Sequence, residues 1–229
     1  MTSIRDNLDQ IRSRIDDACT SSGRDPADVR LVAVSKVKPA QLIDEAFAAG
    51  QQLFGESYVQ EFRDKETSVN SPVEWHFIGA LQSNKVKYLS GKVALIHSVD
   101  RLSLAKEISR QWEKIDDVAP ILLQVNVGDE NSKAGCTIAE LPTLARKIAA
   151  LPHLSIRGLM CLPPYFDDPE QVRPFFQQLR ELATMIEDEK IPGVSMKELS
   201  MGMSSDFEVA IEEGATLVRI GTAIFGERD

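Results

Sequence analysis

Apolar residues recur along the chain with two different periods. Ile4, Leu8, Ile11, Ile15, Ala18 and Cys19 keep helical spacing, with Ser3 placed to cap the start and Gly23 to end it. They predict an amphipathic leading helix over 4–22. Beyond it, short apolar runs alternate with helical patterns. The runs predict strands at 29–36, 53–55, 75–78, 95–99, 121–127, 155–160, 198–201 and 217–220. The stretches between them predict helices at 39–49, 58–68, 84–90, 101–112, 138–150, 169–187 and 207–213. Asp100 is placed as an N-cap, and Gly50 and Gly214 follow the last turns of their helices.

Strand followed by helix, repeated with short connections, makes a parallel sheet, and about eight such units are what a closed (β/α)8 barrel needs. An open doubly wound sheet that binds a nucleotide would want G-x-G-x-x-G after its first strand. This chain has Ser35-Lys36-Val37-Lys38-Pro39-Ala40 there. The expected fold class is therefore α/β, a single TIM-type barrel with an extra N-terminal helix. No long Gly/Ser/Pro-rich linker divides residues 1–229, so one domain is expected.

Composition narrows the function. A 43% hydrophobic content is ample for a large core, and 26 basic against 35 acidic residues leave a formal charge of -9. That charge opposes non-specific binding to nucleic acid or anionic membrane, while a small anion can still bind locally. Cys19, Cys136 and Cys161 show no C-x-x-C spacing and no companion His cluster, so free thiols in a reducing compartment and no metal site are expected. The first residues are helical and charged, without the apolar stretch of a secretion signal, and no apolar run approaches a membrane span. A cytoplasmic location is expected.

Lys36 closes the run Leu31-Val32-Ala33-Val34-Ser35, which puts an amine where a buried strand becomes a loop. Such a lysine either ends a strand or acts as a Schiff-base amine, because apolar walls or a neighbouring cation disfavour the ammonium form. In a barrel the loops after the seventh and eighth strands often build a phosphate site. Here they read Ser200-Met201-Gly202-Met203-Ser204-Ser205-Asp206 and Gly221-Thr222-Ala223-Ile224-Phe225-Gly226. Both offer backbone N–H groups and hydroxyls of the kind a phosphate monoester needs, although either could merely cap or turn.

Arg219 alternates with Val218 and Ile220, so inward-facing Leu217 and Arg219 would place a guanidinium beside those loops and next to the strand that carries Lys36. The alternative is a structural ion pair with Glu198 or Glu208. Beside an aldehyde cofactor a guanidinium can only donate to a pyridine nitrogen, which weakens the ring as an electron sink. His76 and His97 read as hydrogen-bonded core or rim residues, and His153 as exposed. Residues 129–131 read as a capped loop, since they lack EF-hand spacing. Lys85, Lys87 and Lys92 read as solvated, with Lys85 near a strand end, and 187–189 as a solvated helix end.

Seven ordered motifs span nearly the whole chain: V-S-K-V-K-P at 34–39, F-G-E-S-Y-V-Q-E at 54–61, W-H-F-I-G-A-L-Q-S-N-K at 75–85, D-E-N-S-K-A-G at 129–135, R-G-L-M at 157–160, L-S-M-G-M-S-S-D at 199–206 and V-R-I-G-T-A-I-F-G at 218–226. With them the sequence resembles the pyridoxal phosphate homeostasis (YggS/PROSC) family, itself similar to the barrel domain of alanine racemases. The resemblance implies a monomeric barrel that carries pyridoxal 5′-phosphate as an aldimine on Lys36. It implies further that Ser200, Gly221 and Thr222 hold the phosphate, that Arg219 faces the pyridine nitrogen, and that Ser57 and Met201 complete the cofactor set. The family pattern usually has Asn where Ser57 stands, and a hydroxyl reaches less far than a carboxamide. The implied role is vitamin B6 homeostasis, with possible partners among the apoenzymes that take up the cofactor, and no catalytic residue. The rival is an amino-acid racemase, which would need acid-base groups on both faces of its substrate and a second domain beyond the last barrel element. The chain ends at Asp229, directly after that element.

Overall fold

The computed structural model describes residues 3–128, 130 and 134–227. Its eight parallel strands close into one barrel in sequence order: β1 (Arg30–Val34), β2 (Leu53–Glu56), β3 (Glu74–Phe77), β4 (Leu95–Val99), β5 (Ala119–Gln124), β6 (Leu154–Met160), β7 (Val194–Ser200) and β8 (Leu217–Ile220). Closure is made by β1 on β8, which sets Val32 opposite Arg219 and Ala33 opposite Ile220. The outer layer is α2 (Ala40–Ala48), α3 (Val59–Ser68), α4 (Leu102–Glu113), α5 (Leu141–Ala149), α6 (Arg173–Asp188) and α7 (Phe207–Glu212), with the short α8 (Thr222–Phe225) after β8. The expected barrel is the observed one.

Both faces of these strands are covered, as an all-parallel sheet requires. The larger core lies between strands and helices. A second cluster, Val32, Leu53, Leu95, Leu122, Met160 and Leu217, takes one residue each from β1, β2, β4, β5, β6 and β8 and fills the barrel's inside. The other two strands put buried polar groups there, His76 from β3 and Ser200 from β7. His97 and Arg219 follow Leu95 and Leu217 by two positions and so share their inward face.

The leading helix α1 (Ile4–Ser21) starts with a capping box between Ser3 and Asp6. It straps the seam of the barrel. Arg5 and Arg12 donate to the carbonyls of Ala48 and Ala49 at the end of α2, while Asn7 donates to Ile224 in α8 and Arg14 pairs with Glu208 in α7.

Several boundaries differ from expectation for local reasons. β1 stops at Val34, two residues before Lys36, because the next residues form a tied turn. Helix 84–90 is a 3-10 segment, Ser83–Tyr88. Asp100 does not cap α4, since its carboxylate pairs with Arg101 at 2.6 Å. Thr137 and Glu140 bond reciprocally, and α5 begins only after them. His153 is half-buried, with Nδ1 2.9 Å from the Asp117 carbonyl. Of the expected capped loop at 129–131, residues 129 and 131 lie outside the described residues.

Candidate cofactor site

Where the strands end at their C-terminal side, a cavity of about 610 Å³ is walled by Lys36, Ser57, Ser204, Ser205, Arg219 and Thr222, among others. Both hydroxyl-rich loops reach it, the first through Met203 to Ser205 and the second through Gly221, Thr222 and Gly226. Close backbone approach shapes the wall. A Cβ at Gly221 would lie 3.1 Å from the Val34 carbonyl oxygen, and one at Gly79 would lie 2.0 Å from that of Ser57. Glycine alone fits at Gly79, in the W-H-F-I-G-A motif.

Lys36 stands in a turn that is held from behind by α3. Val37 has φ 57°, a left-handed conformation that a β-branched side chain resists, so the surrounding bonds must enforce it. Its N–H donates to Glu61 Oε2 at 2.7 Å, and the Lys38 N–H donates to the Ser35 carbonyl at 3.0 Å. Lys65 Nζ donates to that same carbonyl at 2.7 Å and bridges Glu56 at 2.7 Å and Glu61 at 3.1 Å. The Ser35 hydroxyl donates to Glu56 Oε1 at 2.6 Å. Burial raises the Glu56 pKa, and Lys65 opposes that rise. Sequence reading missed this clamp; its visible sign is Lys65 and Glu61 one helical turn apart, behind the Glu56 that ends an apolar strand.

Arg219 is 4% exposed and donates through Nη1 to Ser200 Oγ at 2.5 Å and through Nη2 to the Cys161 carbonyl at 2.9 Å. Burial lowers its pKa, with Cys161 and Asp206 acting the other way, and a guanidinium stays charged at neutral pH. The two acids considered as its partners are engaged elsewhere, Glu198 with Arg30 and Glu208 with Arg14. Asp206 is buried, which raises its pKa, and its carboxylate accepts from the Met203 N–H at 2.6 Å, folding the serine loop back on itself.

Two residues expected to contact the cofactor, Ser200 and Met201, are not among those that line the cavity. Ser200 is fully buried below the cavity, between Arg219 and His97 Nδ1, which lies 2.8 Å from its hydroxyl. Met201 has its side chain in the outer core and donates its N–H to the Leu217 carbonyl at 3.2 Å, so it has no donor for an anion. Lys85 lies with Lys87 and Arg63 around the Tyr88 ring and does not line the cavity. His76 and His97 are buried and hydrogen-bonded, as expected. All three cysteines are buried, and burial pushes the Cys136 thiol up to about 12, out of reach of thiolate chemistry. Among the described residues no His/Cys/Asp/Glu group could hold a metal, and no helix is long and apolar enough to cross a membrane.

Residues 4–229 match the family of the alanine racemase N-terminal domain. A pyridoxal phosphate homeostasis protein of Aquifex aeolicus is 48% identical over 224 residues, covering 97% of each chain. The protein of the same name from Escherichia coli K12 is 45% identical, covering all of this chain and 98% of the relative. The solved structure of PipY from Synechococcus elongatus, with PLP bound, superposes with a TM-score of 0.85 at 35% identity, over 98% of this chain and all of the other.

Proposed function

The chain belongs to the family of pyridoxal phosphate homeostasis proteins, within that of the alanine racemase N-terminal domain, and from this premise we propose that it binds pyridoxal 5′-phosphate through Lys36 and holds it in reserve for apoenzymes. The observation that carries the reading is that Lys36, Arg219 and both hydroxyl-rich loops face one cavity. When bound, the cofactor supplies an aldehyde for an amine, a pyridine nitrogen for a donor, and a phosphate dianion.

The residues fit that group. Lys36 would take the aldehyde carbon, on a turn whose position the Glu56–Lys65–Glu61 clamp fixes. Arg219 would donate to the ring nitrogen with the N–H groups not used on Ser200 and Cys161. Gly221, where a Cβ would press on Val34, lets the second loop lie close to the phosphate, and Thr222, Ser204 and Ser205 would add hydroxyl donors. Ser57 would border the amine side. The phosphate role expected of Ser200 passes in this reading to Ser204 and Ser205.

Custody is favoured over turnover. Arg219 can donate but not accept, so a ring nitrogen facing it stays unprotonated and withdraws electrons weakly. Racemisation needs an acid-base group on each face, and the titratable residues described in the lining are Lys36, Lys38, Tyr58 and Arg219, with Tyr58 56% exposed at the rim. Three buried cysteines, with no C-x-x-C spacing among them, suit the reducing cytoplasm.

The test is the mass and visible spectrum of the purified protein before and after borohydride. A yellow protein with a reduced adduct that Lys36→Ala abolishes is expected; a colourless protein with no trapped mass rejects the reading. Chiral analysis after incubation with L-alanine should find no turnover comparable with ordinary enzymes. Transfer to an apoenzyme should exceed that from free cofactor at equal concentration, and no gain would reduce the role to binding alone.

A further inference from the structure

A chain of hydrogen bonds runs through the inside of the barrel from Arg219 to Glu74 at the opposite mouth. Arg219 Nη1 lies 2.5 Å from Ser200 Oγ, and Ser200 Oγ lies 2.8 Å from His97 Nδ1. His97 Nε2 lies 2.9 Å from His76 Nδ1, and His76 Nε2 lies 3.1 Å from Glu74 Oε1. Arg219, Ser200, His97 and His76 are all buried, whereas the Glu74 side chain is 48% exposed. Glu74 borders a second cavity, of about 340 Å³, at the N-terminal ends of the strands.

With both rings neutral, the two ends fix the sense of every link. A guanidinium has no acceptor and a carboxylate has no donor. Arg219 must therefore donate to Ser200, whose single hydroxyl proton goes to His97 Nδ1. His76 must donate from Nε2 to Glu74, which leaves its Nδ1 to accept from His97 Nε2. Both rings are then neutral Nε2–H tautomers, and no proton is missing or shared. The neutral state that this counting uses is the one burial favours, since it lowers the pKa of both rings, most strongly at His97.

We propose that Glu74, His76, His97 and Ser200 are positioning residues for Arg219, a one-way relay that sets the plane of its guanidinium under the cavity and couples that plane to the far mouth of the barrel. A serine whose proton is committed to His97 presents a lone pair to Arg219 and cannot turn to compete for the cavity. Because Ser200 is neutral, it orients the cation without cancelling its charge, and aligned links polarise one another. The final step, that Arg219 so held meets a pyridine nitrogen, rests on the proposed cofactor reading.

The test uses the full chain, labelled with ¹⁵N at histidine and arginine, first without cofactor and then titrated with pyridoxal phosphate. In the wild type, His76 and His97 should both give Nε2–H tautomers at neutral pH. Glu74→Ala, outside the cavity, should move the guanidinium resonance of Arg219 and raise the cofactor dissociation constant roughly three- to tenfold. His97→Leu should do so at least as strongly, and His97→Gln, whose carboxamide can accept from Ser200 and donate to His76, should restore the wild-type signals. An Nδ1–H tautomer at either ring overturns the relay. So does an Arg219 resonance unmoved in both Glu74→Ala and His97→Leu. If the wild type binds no pyridoxal phosphate, the proposed function falls while the relay is still judged by the signals of the cofactor-free protein.

Discussion

Two buried cations stand behind the cavity, and each is satisfied in a different way. Lys65, behind the Lys36 turn, touches two carboxylates, Glu56 and Glu61, and the Ser35 carbonyl. Arg219, on β8 beside the strand that leads to Lys36, touches a hydroxyl and a carbonyl, while the carboxylate at the end of its relay lies four hydrogen bonds away. Direct pairing spends the charge of Lys65 on fixing backbone, including the strained φ of Val37. Neutral contacts leave the charge of Arg219 facing the cavity. One network holds a turn still, and the other aims a donor.

The largest expected effect breaks the first network. Lys65→Met would strand the fully buried Glu56 carboxylate, one of whose oxygens already has no hydrogen-bond partner, and should cost about 3–5 kcal/mol in urea unfolding at pH 7. The double variant Glu56→Gln with Lys65→Met should recover much of that loss, because no charge is left behind. Glu74→Ala, which cuts the acidic end of the second network, should shift stability by no more than about 1 kcal/mol, since a half-exposed carboxylate keeps its water. Equal losses in the two single variants would erase the distinction drawn between them.

The two networks also differ in how far the sequence discloses them. The strands were legible because parallel strands covered on both faces are apolar runs, and Arg219 was legible because it sits two residues after Leu217 in one of them. The clamp left a local trace in Glu61 and Lys65, yet its purpose needs the Ser35 carbonyl, 30 residues away from Lys65. The relay left less. His97 and Ser200 are 103 residues apart and meet only once the sheet closes, so each reads alone as a buried polar residue on an apolar strand. Ser200 is hard to place from sequence for the same reason: its motif lies beside the phosphate-suited loop, while its side chain alternates into the barrel.

Acid should separate the networks next. His97 is held well below its ordinary pKa by burial, with His76, Arg219 and Arg30 adding to the effect. The unfolded chain takes up a proton as pH falls through about 6.5, and the folded protein does not. The stabilisation by neutral His97 is therefore complete above that pH and is lost as pH drops, about 1 kcal/mol between pH 6.5 and 5.5. Glu56 works in the other direction, because its folded pKa is raised. Comparing the wild type with His97→Gln at both pH values cancels the Glu56 contribution. The slope should flatten by about 1 kcal/mol in the variant, and parallel slopes would mean that His97 is protonated inside the barrel.

The smallest expected effect concerns the wall between the two networks. Ser57 follows Glu56 of the clamp and lines the cavity, at the position where the resemblance read from the sequence expects Asn. Its main chain is already fixed by Gly79, which packs where no Cβ fits, so a longer side chain at 57 alters the cavity and leaves the backbone as it is. A carboxamide offers two N–H donors where the hydroxyl offers one, both also accept, and a net hydrogen bond is worth about 0.5–1.5 kcal/mol. Ser57→Asn should thus tighten pyridoxal phosphate binding roughly two- to tenfold, read by titrating visible absorbance, while unfolding of the cofactor-free protein moves by less than about 0.5 kcal/mol. Tighter binding would locate the slack of this site on the amine side, with the Arg219 side already set by its relay. Weaker binding would mean that Ser57 and its neighbours already fill that wall, and that the clamp and the relay position the cofactor equally well.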